Sequence, residues 1–209
     1  QEYLLNIVPS EDQAIYPEWI NYYDEIPERM NMYGGYKSHL EVRIGIDPAI
    51  SQSDVADYTA MVPGLLFETK TGYRIYILPK IINRRLNFPE TIDTCKVMYE
   101  SYKKDYDLVR LVVEDVAYQK ALPQQLKVEG VGNVMTTHPG SQDKRTRLVL
   151  TANMIKNGQI LFPRKGAEEL IQQIVHFGVE KHDDLADAFV NLANSLLDKH
   201  PNPPRIYFL

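Results

Sequence analysis

Residues 41–60 read EVRIGIDPAISQSDVADYTA, and the parsing of this stretch decides the fold. Val42, Ile44 and Ile46 alternate with Arg43 and Gly45, which is the period of a strand. Asp47-Pro48 ends the run, because proline cannot extend a ladder. The strand therefore delivers a carboxylate at its carboxyl end, where open α/β sheets gather their chemistry. A turn holding Gln52, Ser53 and Asp54 follows, and Asp57 opens the next run, Asp57-Tyr58-Thr59-Ala60-Met61-Val62. An isolated aspartate at a strand end usually does no more than cap a turn. Asp47 gains meaning only from the acids further along the chain.

Working outward, residues 59–69 predict a second strand and 73–82 a third, with Lys70-Thr71-Gly72 as the hairpin turn between them. Three strands joined this closely make an antiparallel meander. Pro89 and Glu90 open a helix whose Ile92, Cys95, Tyr99 and Tyr102 recur at helical spacing. The run LVRLVV at 108–113 is almost continuously apolar, as a strand covered on both faces must be, and it ends on Glu114-Asp115. Beyond it we expect a helix over 118–126 broken or kinked at Pro123, and a strand over 131–137. A helix capped by Asp143, a short strand over 158–162 and helices over 166–176 and 183–197 follow. The order defines an α/β chain with a mixed sheet, the meander plus parallel strands, flanked by helices. Runs 42–46 and 108–113 form its centre, and each presents a carboxylate where it ends.

The bulk properties narrow the class. A chain of 209 residues with 44% hydrophobic and 24% charged residues suits one globular domain with extensions. No apolar run approaches the roughly 18 residues that a membrane span needs. The single cysteine, Cys95, excludes an internal disulfide and a cysteine zinc cage. The chain starts at Gln1 without a signal-peptide pattern and reads as a piece of an intracellular protein. The net charge of -5 argues against a general polyanion binder. Local basic pairs nevertheless occur at Arg84-Arg85, Lys103-Lys104, Lys144-Arg145 with Arg147, and Arg164-Lys165, and an acidic total can hide a basic groove. Residues 1–38, rich in Tyr, Pro, Glu and Asn and without sustained period, read as a connector or arm. Residues 39–199 form the compact domain and 200–209 a tail. The arm's tyrosines (Tyr16, Tyr22, Tyr23, Tyr33 and Tyr36) are read as packing on a neighbouring domain rather than stacking on bases.

The third acidic group is HDDLADAF at 182–189. Leu185, Phe189, Leu192 and Leu196 make the core stripe of a helix. Asp184 borders that stripe, and Asp187 follows at i+3 from Asp184 and i+4 from Asp183. The amino end of a helix favours anions. Asp47, Glu114 and Asp184 thus come from two strand ends and one helix start. Hard oxygen donors without cysteine suit Mg²⁺ or Mn²⁺, and crowded carboxylates need a divalent cation to hold them together. Two such ions support phosphodiester hydrolysis.

These motifs, IGIDPA with SDVADYTA, VVEDVAYQKAL and KHDDLADAF, resemble the acidic motifs of the nuclease domain of large terminases, the DNA-packaging motors of tailed bacteriophages. The likeness covers about residues 39–198. The opening arm, with Pro17-Glu18-Trp19-Ile20 and Tyr22-Tyr23, resembles the segment that joins the motor's ATPase domain to its nuclease. No GxxxxGK[ST] loop is present, so the resemblance implies that the ATPase half lies outside this chain. It further implies a ribonuclease H-like fold, with Asp47, Glu114 and Asp184 as catalytic metal ligands. Asp57 and Asp183 would support them, and Asp187 would orient water. At Glu114-Asp115 only one side chain can face the site, and Glu114 is favoured because it continues the buried run. Asp184 is favoured over Asp183 for its place beside the core stripe. Lys144, Arg145 and Arg147 sit where phosphates would be gripped, while His138 and His182 are read mainly as loop residues. The implied partners are double-stranded DNA, the ATPase domain, the portal and the small terminase subunit, in the host cytoplasm at the procapsid. A junction resolvase or transposase-like nuclease, a non-catalytic DNA-docking module and an actin-like phosphotransferase are the alternatives. The last lacks its glycine-rich phosphate loops.

Overall fold

The computed structural model describes residues 14–27, 41–48, 58–69, 72–114, 120–137, 144–177 and 183–196. Strand β2 (Glu41–Asp47) is the axis of the sheet. It pairs antiparallel with β3 (Tyr58–Thr69) and parallel with β6 (Leu108–Glu114). On one side β3 pairs antiparallel with β4 (Gly72–Ile77), which pairs parallel with β8 (Ile160–Pro163); β1 (Tyr22–Tyr23) lies parallel at that edge. On the other side β6 pairs parallel with β7 (Val134–Thr137). The strand order is β1-β8-β4-β3-β2-β6-β7, and the mixed sheet read from the sequence is the observed one.

The expected third strand over 73–82 divides in two. The ladder of β4 ends at Ile77, and Leu78 N still donates to Pro63 O at 2.9 Å. Pro79 then offers no N–H, so the chain leaves the sheet and returns as β5 (Ile82–Arg85) on the first half of β3. The expected kink at Pro123 is absent. This proline is the third residue of α2 (Ala121–Val128), where the N–H it lacks would have had no partner within the helix.

Alternation splits the core in two. Val42, Ile44 and Ile46 join Val109, Leu111 and Val113 under α1 (Phe88–Lys103) and α2. Ala60, Val62 and Ile75 face the opposite way, against α3 (Lys144–Lys156), α4 (Glu168–Val175) and α5 (Asp184–Asn194). Helix α1 starts on a capping box: Glu90 N donates to Asn87 Oδ1 at 2.9 Å and Asn87 N donates to Glu90 Oε2 at 2.8 Å. Asn87→Ala removes one half of that exchange and is expected to lower the unfolding free energy by about 1 kcal/mol, read by urea titration. An unchanged midpoint would show that the box adds nothing.

Residues 14–27, assigned from the sequence to the arm, pack on this domain. Ile15 is fully buried in the core shared with α3, α4 and α5. Tyr23 donates to Ile77 O at 2.6 Å and meets the Tyr76 ring edge-on, and Asn21 Nδ2 donates to Ile155 O at 3.0 Å. Trp19 lies 4.8 Å beneath Lys156 Nζ. A two-residue strand on a sheet edge has no periodicity to read, so sequence pattern could not detect it. Tyr33 and Tyr36 lie outside the described residues.

The α1–α2 side also fixes a pH response. Burial pushes the Cys95 thiol from an ordinary value near 9 to about 12 and the Tyr23 phenol to about 12, and it raises the Tyr102 phenol as well. In each case the folded state holds a proton that the unfolded chain releases first. This stability is complete below the unfolded pKa values and declines as pH climbs from about 9 toward the folded ones. Denaturant titrations at pH 8 and pH 11 should show the loss, with Cys95 silent to a thiol reagent in the folded protein at pH 8. Equal stability at both values would contradict it.

Candidate active site

The face that Asp47 uses follows from its neighbours on β2. Arg43 is buried and its Nη1 donates to Ser195 O at 2.5 Å and to Ser195 Oγ at 3.0 Å, just past the carboxyl end of α5. A Cβ on Gly45 would lie 2.1 Å from Ala188 O, so α5 rests directly on the sheet at that point. Positions 43, 45 and 47 share one face by strand alternation, and Asp47 therefore faces α5. Because Ser195 meets Arg43 and Ala188 meets Gly45, α5 runs antiparallel to β2 and begins over its carboxyl end. Asn191 Nδ2 donates to Ile46 O at 3.1 Å and holds this crossing.

The second carboxylate arrives through strand register. Arg43 is opposite Arg110 and Gly45 opposite Val112 on parallel β6. The same register sets Glu114 beside Asp47, one strand spacing of ~4.8 Å away and on the same face. The pairing of Arg110 Nε with Glu41 Oε1 at 2.9 Å supports this assignment of faces. Asp115 lies outside the described residues, as do Asp57, His138 and His182.

The third group is the first turn of α5. Asp183 precedes the helix without capping it through its side chain; Gln173 Oε1 from α4 instead accepts from Leu185 N at 2.9 Å. Asp183, Asp184 and Asp187 are half-buried, and Asp184 Oδ2 is closed off from solvent. The positive end of the helix supports such a concentration of negative charge. Asp47, Glu114 and the acids of α5 are thus carried to one end and one face of the sheet.

Arg147 is paired within the protein. Its Nη1 donates to Glu114 Oε1, with side-chain exposures of only 12% and 16%. For Lys144 and Arg145 only the backbone, at the start of α3, is described. Among the described residues, no group of three or more His, Cys, Asp or Glu side chains is arranged to hold a metal ion. The donor chemistry would nonetheless suit a hard divalent cation, since the side chains carried to this end of the sheet among the described residues are carboxylates. Sequence reasoning missed Arg43, Gln173, Asn191 and the Arg147–Glu114 pair. The first and third carried a signal: a polar residue interrupting an apolar strand or helix stripe is buried only if something satisfies it.

A mixed sheet with this order, flanked by helices and carrying acids at the carboxyl ends of its two central strands, defines a ribonuclease H-like protein. Residues 44–196 match the family described as the terminase RNaseH-like domain, and the chain belongs to that family. Among solved structures it is similar to the large terminase nuclease from thermophilic phage G20c. The magnesium-bound form has a TM-score of 0.58 at 16% identity, covering 90% of this chain and 98% of that one. The zinc-bound form has a TM-score of 0.53 at 17% identity, covering 84% and 92%. At such identities the likeness speaks for the fold. A comparison with curated proteins found no match.

Proposed function

We propose that this chain is the nuclease domain of a DNA-packaging large terminase, a divalent-metal-dependent endonuclease that cuts double-stranded viral DNA with little sequence preference. The observation that carries the reading is the strand register that sets Glu114 beside Asp47 beneath the acidic first turn of α5, in a chain of the terminase family. Asp47, Glu114 and Asp184 would hold the metal, with Asp57 and Asp183 as supporting acids. Two Mg²⁺ or Mn²⁺ ions held there would supply the Lewis acidity for activating water and for stabilising the departing oxygen of the phosphodiester. The chain's own part is orientation. The Arg43–Ser195 and Asn191–Ile46 hydrogen bonds fix the height of α5 over β2, and Asp187 is set to orient water. DNA, the ATPase domain, the portal and the small subunit are the proposed partners, at the procapsid in the host cytoplasm. Among the described residues no helix is long and apolar enough to cross a membrane.

Supercoiled plasmid incubated with the domain and Mn²⁺ or Mg²⁺ is expected to be nicked and linearised, and EDTA is expected to stop it. Absence of cutting with either ion, in protein that titrates Mn²⁺ calorimetrically, would leave the docking-module alternative. The Arg147–Glu114 pair adds a sign to that titration. A cation must compete with a guanidinium for Glu114, so Arg147→Gln is expected to bind Mn²⁺ more tightly than the unaltered chain, by about tenfold if ~1.4 kcal/mol of pairing is removed. Equal or weaker binding would show that the pair does not oppose the ion.

A further inference from the structure

Arg147 is engaged by Glu114, and strand β5 offers a further cation that could hold the DNA backbone. The register runs Asp47 opposite Ala60 on β3, and Ala60 opposite Asn83 on β5, so these three residues form one row across the sheet. Arg85 stands two residues further toward the carboxyl end of β2, opposite Tyr58. Ala60 lies in the core on the α5 side, so Tyr58, Asn83 and Arg85 share the Asp47 face, and Arg84 and Thr59 take the other. Thr59 Oγ1 lies 3.4 Å from Thr91 Oγ1 of α1, as that assignment requires. Arg85 is exposed and makes no ion pair among the described residues; its guanidinium lies 5.1 Å over the Tyr58 ring, which aims it without neutralising it. Two strand spacings of ~4.8 Å and two residue rises of ~3.4 Å put its Cα about 12 Å from that of Asp47. At ~3.4 Å per nucleotide along one strand, that is three to four nucleotides from the bond to be cut.

We propose that Arg85, held on Tyr58, grips a DNA backbone phosphate and sets the duplex across the Asp47 end of the sheet. The inference rests on the nuclease reading for the meaning of that end, but it is tested on binding alone. Arg84 is a matched control, since it has the same charge one residue away and points to the opposite face. A fluorescent duplex of arbitrary sequence, titrated in EDTA at several salt concentrations, gives affinity and salt slope without cutting. Arg85→Ala is expected to weaken binding about five- to tenfold for every sequence and to flatten the log–log salt slope by about 1. Arg84→Ala should shift affinity less than about twofold, and Arg85→Lys should keep the original slope because the charge remains. Thermal melts check that each variant is folded. Equal affinities and slopes for the two alanine variants, or no salt-dependent binding by the unaltered chain, would overturn the inference. An unaltered chain that binds the duplex but does not nick plasmid with Mn²⁺ would overturn the nuclease reading and leave this one standing.

Discussion

Asp47→Asn is expected to remove Mn²⁺-dependent plasmid cutting by at least about a hundredfold while leaving the domain folded. The activity term follows from the role proposed for the carboxylate. It is a hard oxygen donor at the end of β2, facing the start of α5, and charge stabilisation by a bound ion contributes several kcal/mol to hydrolysis. The stability term has the opposite sign. Without an ion, the carboxylates of Asp47, Glu114 and α5 repel one another, and Arg147 offsets the charge of Glu114. Neutralising Asp47 relieves repulsion, so the variant should melt no lower than the unaltered chain in EDTA, and it should lose most of the stabilisation that Mn²⁺ confers. Asp184→Asn is expected to behave alike. Cutting at the original rate by either variant would refute the assigned roles, and a collapsed melting temperature would mean that the acids serve the fold instead.

Gly45→Ala is expected to do the reverse, damaging the fold first and the activity through it. A methyl there would lie 2.1 Å from Ala188 O and 2.8 Å from both Leu192 N and Leu192 Cβ. Two of these three atoms are backbone, so no rotamer change makes room and α5 must lift from the sheet. Overpacking of this kind costs about 3 kcal/mol. It also carries the acidic first turn away from Asp47. Urea titration should report the loss of stability, and Mn²⁺ calorimetry the loss of the site. Trimming the neighbour with Leu192→Ala should not rescue the variant, because the carbonyl of Ala188 remains. Full stability in Gly45→Ala would show that α5 does not sit as close to β2 as the structure has it.

Much of this was legible in the chain. Alternation in 42–46 and the apolar run at 108–113 identified the two central strands, because residues covered by helices on both faces leave little choice of side chain. Pro89 and Glu90 marked the start of α1. Longer-range facts were not legible. Periodicity over 73–82 did not show that Pro79 divides the run, nor could two tyrosines announce an edge strand. Nothing local in the sequence indicates that α3 turns Arg147 onto Glu114.

The sequence by itself determined which residues alternate, where each run stops and which acids stand at the stops, since these depend on contacts within a few positions of the chain. Only the tertiary structure decided which of them meet. The parallel register of β2 and β6, the glycine that lets α5 lie directly on the sheet, and the choice of Arg147 as the partner of Glu114 are set by packing between segments tens of residues apart. Such contacts leave no periodic trace in any one segment.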